Sequence, residues 1–119
     1  MKRSGKERSQ RQLRVSQNIK RVLSEYLHRE YFADPVLKDA GAITIGDVMI
    51  SPDLRHATAF VSSLNETDDI DEIIEALNKV APSFSHYVAK NLETKNTPKI
   101  AFDKDHTAAL FDKINTLLD

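Results

Sequence analysis

The stretch Ile70-Asp71-Glu72-Ile73-Ile74-Glu75-Ala76-Leu77-Asn78-Lys79-Val80-Ala81-Pro82-Ser83-Phe84-Ser85-His86-Tyr87-Val88-Ala89-Lys90-Asn91-Leu92 decides the fold. Its apolar residues Ile70, Ile73, Ile74, Leu77, Ala81, Phe84, Val88 and Leu92 recur at steps of three and four, the period of one buried helical stripe. Periodicity alone describes one long helix. Pro82 sits in the middle of it, lacks an N–H, and in a continuous helix would press on the carbonyl of Asn78 at a cost of about 3 kcal/mol. The stretch therefore reads as two helices joined at Ala81, Pro82 and Ser83, both burying the same side.

The opposite face carries the functional signal. At 100° per residue Lys79, Ser83, His86 and Lys90 project together in a row that crosses the joint. A break in a helix frees backbone N–H groups, and a new helix start adds the positive end of its dipole. Free amides, a hydroxyl and two lysines would form a phosphate-binding edge. The blander reading is an ordinary turn with a solvated lysine face.

Length and composition set the frame. A chain of 119 residues suits one compact domain, which at this size buries roughly two-thirds of the surface its unfolded chain exposes. Cys is absent, so there is neither a disulfide framework nor a thiolate metal site, and no apolar run approaches the roughly 20 residues of a membrane span. A soluble cytoplasmic protein is the expectation. The net charge of −1 conceals an asymmetry: residues 1–29 carry nine basic residues against two acids, +7, and residues 30–119 carry eight against sixteen, −8. A basic segment of this kind is an electrostatic footprint for polyanions.

Residues 1–9 are polar, basic and without apolar period, which predicts a flexible basic tail. From about Gln10, the residues Val15, Ile19, Val22, Leu23, Tyr26 and Leu27 mark an amphipathic helix whose outer face holds Arg14, Gln17, Arg21 and His28. Arg14 and Arg21 are two turns apart, roughly 10 Å along the axis, so each can meet a different phosphate.

Asp34-Pro35 ends that region. Ile43 and Ile45 then alternate with Thr44, but Val48 and Ile50 have the opposite parity, so Gly46-Asp47 should hold a bulge. A second strand over Thr58 to Ser63 follows the turn Ser51-Pro52-Asp53-Leu54-Arg55, giving an antiparallel hairpin. Ser51, Asp53 and His56 have the residue types of a hydrolase triad, but a triad needs side chains converging from a rigid frame, and turn chemistry accounts for these. The histidines show no metal-ligand spacing. Neither a catalytic residue, a metal site nor a cofactor is expected. The acids between Glu66 and Glu75 lack the glycine and alternation of a calcium loop; Asp68 or Asp69 capping the next helix accounts for them.

After Leu92, Pro98-Lys99-Ile100-Ala101-Phe102 reads as a third strand with Ile100 and Phe102 on one face. A last helix from about Thr107 presents Leu110, Phe111, Ile114, Leu117 and Leu118. Most aromatics fall on apolar periods and are counted as core. The order is helix, two strands, two helices across a joint, strand, helix. This predicts an α+β fold: a type II KH-like domain over 10–105 (α-β-β-α-α-β), with a C-terminal helix over 106–119. Such modules clamp single-stranded nucleic acid with a Gly-x-x-Gly loop, and none is present between these two helices.

The residues resemble the bacterial ribosome-binding factor A family from about Leu13 to Phe102. The likeness rests on Arg14-Val15, Asp34-Pro35, Thr44-Ile45 with Val48, Ser51-Pro52-Asp53-Leu54 with Ala57, Ala76-Leu77-Asn78, and Thr97-Pro98-Lys99-Ile100-Ala101-Phe102. In that family a kink of Ala-x-Gly form replaces the KH loop. It falls on Ala81, Pro82 and Ser83, with Ser83 in the place of the glycine.

The resemblance implies a non-enzymatic assembly factor that binds the immature 30S subunit and its 16S rRNA, aids rRNA maturation and processing, and is linked to growth in the cold. The residues expected to contact RNA are Arg14, Arg21, Lys79, Ser83, Lys90, Lys95 and Lys99. A monomer is expected, with no membrane and no small-molecule substrate. The competing class is a protein-interaction module of the same fold without RNA contact, distinguished by its insensitivity to salt.

Overall fold

The computed structural model describes residues 9–30, 32–38, 40–65, 68–92 and 97–105. The basic tail up to Arg8, Lys95 and the expected C-terminal helix lie outside these residues. The described elements are α1 (Gln10–Arg29), β1 (Ile43–Ile50), β2 (His56–Ser63), α2 (Ile70–Lys79), α3 (Ala81–Asn91) and β3 (Lys99–Lys104), with 3-10 turns at Pro35–Leu37 and Ala40–Ala42. The fold is α+β. Its sheet order is β1-β2-β3, with β1 and β2 antiparallel and β2 and β3 parallel.

Local chemistry sets the boundaries. Ser9 and Gln12 close a reciprocal capping box at the start of α1, each side chain accepting the other's backbone N–H. The Asp69 carboxylate accepts the N–H groups of Asp71 and Glu72 at the start of α2, where further acids complement the helix dipole. Gly46 lies at the register shift between Ile45 and Asp47, so the parity change along β1 is a bulge. A β-carbon at Gly46 would stand 2.5 Å from a carboxylate oxygen of Asp105, so any larger residue there would have to turn that side chain aside.

The break between α2 and α3 falls at Val80, one residue ahead of the expected joint at Ala81, Pro82 and Ser83. Those three residues form the first turn of α3. The reason is steric: with the break at Val80, Pro82 lies in a turn where an N–H would have no helical partner, and the clash with the Asn78 carbonyl disappears.

The core lies between the sheet and the helices. Ile19, Val22, Leu23 and Leu27 of α1 meet Ile43, Ile45, Val48 and Ile50 of β1, while Leu77, Phe84 and Val88 cover Ile100 and Phe102. Phe84 is its centre, stacked on Phe32 at 5.7 Å and edge-on to Tyr26 and Phe102 at 4.8 and 4.9 Å.

Helix side chains also engage both outer strands. Gln12 Nε2 donates to the Ile50 carbonyl at 3.3 Å, and His28 Nε2 lies 2.9 Å from the Ile43 carbonyl. On β3 the Asn78 amide pairs with both the N–H and the carbonyl of Phe102, and the Ser85 hydroxyl accepts the Ile100 N–H at 3.3 Å. On β3 this pairing occupies the outward N–H groups of Ile100 and Phe102 and the Phe102 carbonyl, which blunts the template that a bare strand edge offers to another chain.

Candidate nucleic-acid interface

Three contacts gather basic residues at one end of the sheet. The Gln12 and His28 bonds run α1 antiparallel to β1, so α1 begins where β1 ends, beside the β1–β2 hairpin. The Lys99 N–H donates to the Arg55 carbonyl at 2.8 Å, and His56 pairs with Lys99 across the parallel ladder. Arg14, Arg55, His56 and Lys99 are therefore all exposed at the hairpin end. The other end is mainly acidic: Asp68, Asp69, Asp71 and Glu72 surround the start of α2, and Asp103 lies one residue from the end of β3, where Lys104 pairs with Asp71 at 3.3 Å.

A groove of about 600 Å³ opens at the basic end between the α2–α3 joint and β3. Ala81, Pro82, Pro98 and Ala101 give it apolar walls, and Arg55 and Lys99 lie on its lining beside Asn78 and Ser85. An apolar floor with cations at hand suits a flexible polyanion, whose sugars and bases pack while its phosphates meet charge.

The expected contact residues divide. Arg14 and Lys99 both lie at the hairpin end, on opposite edges of the sheet, and neither has an ion-pair partner among the described residues. Arg21 lies two turns further along α1, paired with Glu25 at 3.3 Å, and Lys79 pairs with Glu75 at 3.8 Å beside the joint. Both pairs are exposed, and such pairs exchange readily for a phosphate. Lys90 is exposed near the end of α3, and among the described residues no contact draws it toward the hairpin.

Ser83 differs from expectation. Its hydroxyl donates to the Val80 carbonyl at 2.7 Å and its N–H to the same oxygen at 3.0 Å, while the Val80 N–H donates to Leu77. These bonds engage the Ser83 hydroxyl and the N–H groups of Ser83 and Val80, so the expected edge of free amides and a free hydroxyl does not form from these three groups.

Arg55 and His56 were not singled out as contact residues in the sequence. Their position depends on β3 lying parallel to β2, which no local periodicity reveals. Ser51, Asp53 and His56 instead close the hairpin: the Ser51 hydroxyl donates to Asp53 and accepts the backbone N–H of His56 at 3.0 Å, and Asp53 also accepts the Arg55 N–H at 3.1 Å. The Ser51 bond, then the Arg55 N–H, hold the Asp53 carboxyl below its ordinary value. Leu54 completes the turn at φ 61°, a left-handed conformation. No helix among the described residues is long and apolar enough to cross a membrane.

A family profile described as ribosome-binding factor A matches residues 11–118. A ribosome-binding factor A of Paracoccus denitrificans is 42% identical over 115 residues, covering 97% of this chain and 82% of the relative. The chain belongs to the ribosome-binding factor A family. Among solved structures, a Thermotoga maritima protein carrying that family name superposes with a TM-score of 0.70 at 28% identity, covering 85% of this chain and 92% of its own. A homology model of the Thermus thermophilus ribosome binding factor A, as fitted into the cryo-EM map of a 30S complex with that factor, superposes with a TM-score of 0.62 at 16% identity, covering 81% of this chain and 97% of its own. At that identity the second likeness speaks to the fold. The ribosome-binding factor A match spans all the motifs on which the resemblance rests, including Ala76-Leu77-Asn78, whose asparagine supports β3.

Proposed function

We propose that this chain is an assembly factor of the small ribosomal subunit, contacting the immature 30S particle and its 16S rRNA with the hairpin end. The observation that carries this reading is the apolar groove lined by Arg55 and Lys99, with Arg14 and His56 exposed at the same end of the sheet, while acids collect at the far end. Family membership supports it, as does the Thermus thermophilus factor fitted in its 30S complex. The acidic end, repelled by phosphate, orients the approach.

The element order corresponds to a type II KH-like domain in which the Val80 break stands where the Gly-x-x-Gly loop would be. KH modules hold single strands along such a groove. Asn78 and Ser85 already engage the outward N–H groups of Phe102 and Ile100, so the contact is made to backbone phosphates rather than to base edges. The role is one of holding and folding rRNA during maturation and processing. It is performed by a cytoplasmic monomer without cofactor or chemical step, and it matters most in the cold, when misfolded RNA is slow to rearrange.

The test is sedimentation of the protein with cell extract on a gradient that separates free small subunits from assembled ribosomes, at low and moderate salt. Co-migration with free small subunits, weakened by salt, is the expected result. Protein remaining at the top of the gradient at both salts overturns the reading. Co-migration that ignores salt favours docking on a protein partner instead.

A further inference from the structure

The helices cover one face of the sheet, and among the described residues no element covers the other. That open face presents Met49, Thr58 and Ala101 in one cross-strand row and Asp47, Phe60 and Asp103 in the next. Met49 is 38% exposed. Leu64, just past the end of β2 and in phase with Phe60 and Ser62, is 74% exposed. An aromatic, a methionine and a leucine on the uncovered side of a three-stranded sheet form an apolar strip that wants a cover.

We propose that residues 106–119 of this same chain form an amphipathic helix that lies on this open face, antiparallel to β3. Three observations select that occupant. The first is position: β3 ends at Lys104, and the Asp105 N–H donates to the Val61 carbonyl at 2.9 Å, so the chain leaves the sheet at the edge of the strip. The second is length: a helix of about 12 residues spans roughly 18 Å, and the six residues of β3 roughly 20 Å, so one return pass covers the strand. The segment's apolar stripe, Leu110, Phe111, Ile114, Leu117 and Leu118, is long enough to match.

The third is charge. An antiparallel helix places its positive N-terminal end against Asp47 and Asp103. Its negative end, with Asp119, then falls toward Lys99 and Arg55 at the hairpin end. The reverse orientation would set like charges together at both ends. This docking is independent of the RNA reading and holds whether or not the hairpin end binds RNA.

The native chain has neither Cys nor Trp, so each can be introduced as a unique reporter in the full-length protein. In the antiparallel arrangement, Asp103→Cys, one residue from the end of β3, lies level with the first turn of the helix, and paired with Leu110→Cys it forms an intramolecular disulfide under mild oxidation. Asp103→Cys paired with Leu117→Cys does not, because the two helix positions are about 10 Å apart along the axis and a disulfide needs its Cα atoms within roughly 7 Å. Separately, Phe60→Trp should emit as a shielded indole, and adding Leu117→Asp should shift that emission to the red and raise its quenching by acrylamide. A disulfide only in the 103/117 pair, only between two molecules, or in neither pair overturns the proposal. So does a Phe60→Trp emission that Leu117→Asp leaves unchanged.

Discussion

Asn78 meets Phe102 twice: its amide nitrogen donates to the Phe102 carbonyl at 3.0 Å, and its own carbonyl oxygen accepts the Phe102 N–H at 2.8 Å. The side chain thereby acts as one residue of an extra strand beside β3. It can do so because α2 stops at Lys79. Asn78→Ala leaves both backbone groups of Phe102 without that partner and should lower stability by about 1–3 kcal/mol. Asn78→Asp keeps an acceptor but loses the donor, and a carboxylate then faces a carbonyl. Urea denaturation should show the midpoint falling for both variants with an unchanged slope.

Pro82 gives a prediction of the opposite kind. Because it sits in the first turn of α3, Pro82→Ala should change stability by no more than about 0.5 kcal/mol, as for a surface substitution away from special features. Two residues on, Phe84 is fully buried among three rings, and Phe84→Ala should cost about 3–5 kcal/mol. A large loss for Pro82→Ala would mean that the proline itself fixes the break.

Much of this was legible in the sequence, for reasons that differ by residue. The alternation of Ile43 and Ile45 against Val48 and Ile50 announced the bulge because side-chain parity in a strand is strict. Arg14 announced itself because a 3.6-residue period fixes which face of α1 is wet. The hairpin-end cluster was only half legible: Lys99 and Arg55 become neighbours through a parallel strand pairing reached across two helices, and periodicity carries no information about non-local pairing. The engagement of the Ser83 hydroxyl has a local cause. A serine in the first turn of a helix competes for the nearest carbonyl, and here Val80 supplies it.

Asp53 supplies a pH dependence. Its carboxyl is held below the ordinary 3.8, first by the Ser51 hydroxyl and then by the Arg55 N–H. A depressed carboxylate contributes its hydrogen bonds above the unfolded value and loses them as pH falls through the folded one. The hairpin should therefore stay closed throughout the neutral range and loosen only at a pH below 3.8. An NMR titration of the Asp53 carboxyl and the Arg55 amide should show both moving together in that window. In Asp53→Asn the Arg55 amide should no longer titrate there.

Pairing ranks the arginines of α1. Arg21 must exchange Glu25 for phosphate, whereas Arg14 has no ion-pair partner to give up among the described residues. Neutralising them separately, Arg14→Gln should weaken RNA binding more than Arg21→Gln. Lys90→Gln should weaken it least, because nothing brings α3's far end to the hairpin. Filter-binding or fluorescence titration with small-subunit rRNA fragments would order the three.

The most direct measurement compares charge reversals at opposite ends of the molecule: Arg14→Glu and Lys99→Glu at the hairpin end, and Lys38→Glu, exposed beside the acidic start of α2, as the control of equal charge. RNA affinity is measured across a salt series for each. If the hairpin end faces RNA, the first two lower affinity and each reduces the salt slope by about 1, the loss of one phosphate contact, while Lys38→Glu leaves the slope unchanged. Equal losses from all three would mean that net charge alone governs binding, and an unchanged slope for Arg14→Glu and Lys99→Glu would contradict the assignment of that end as the RNA-facing surface.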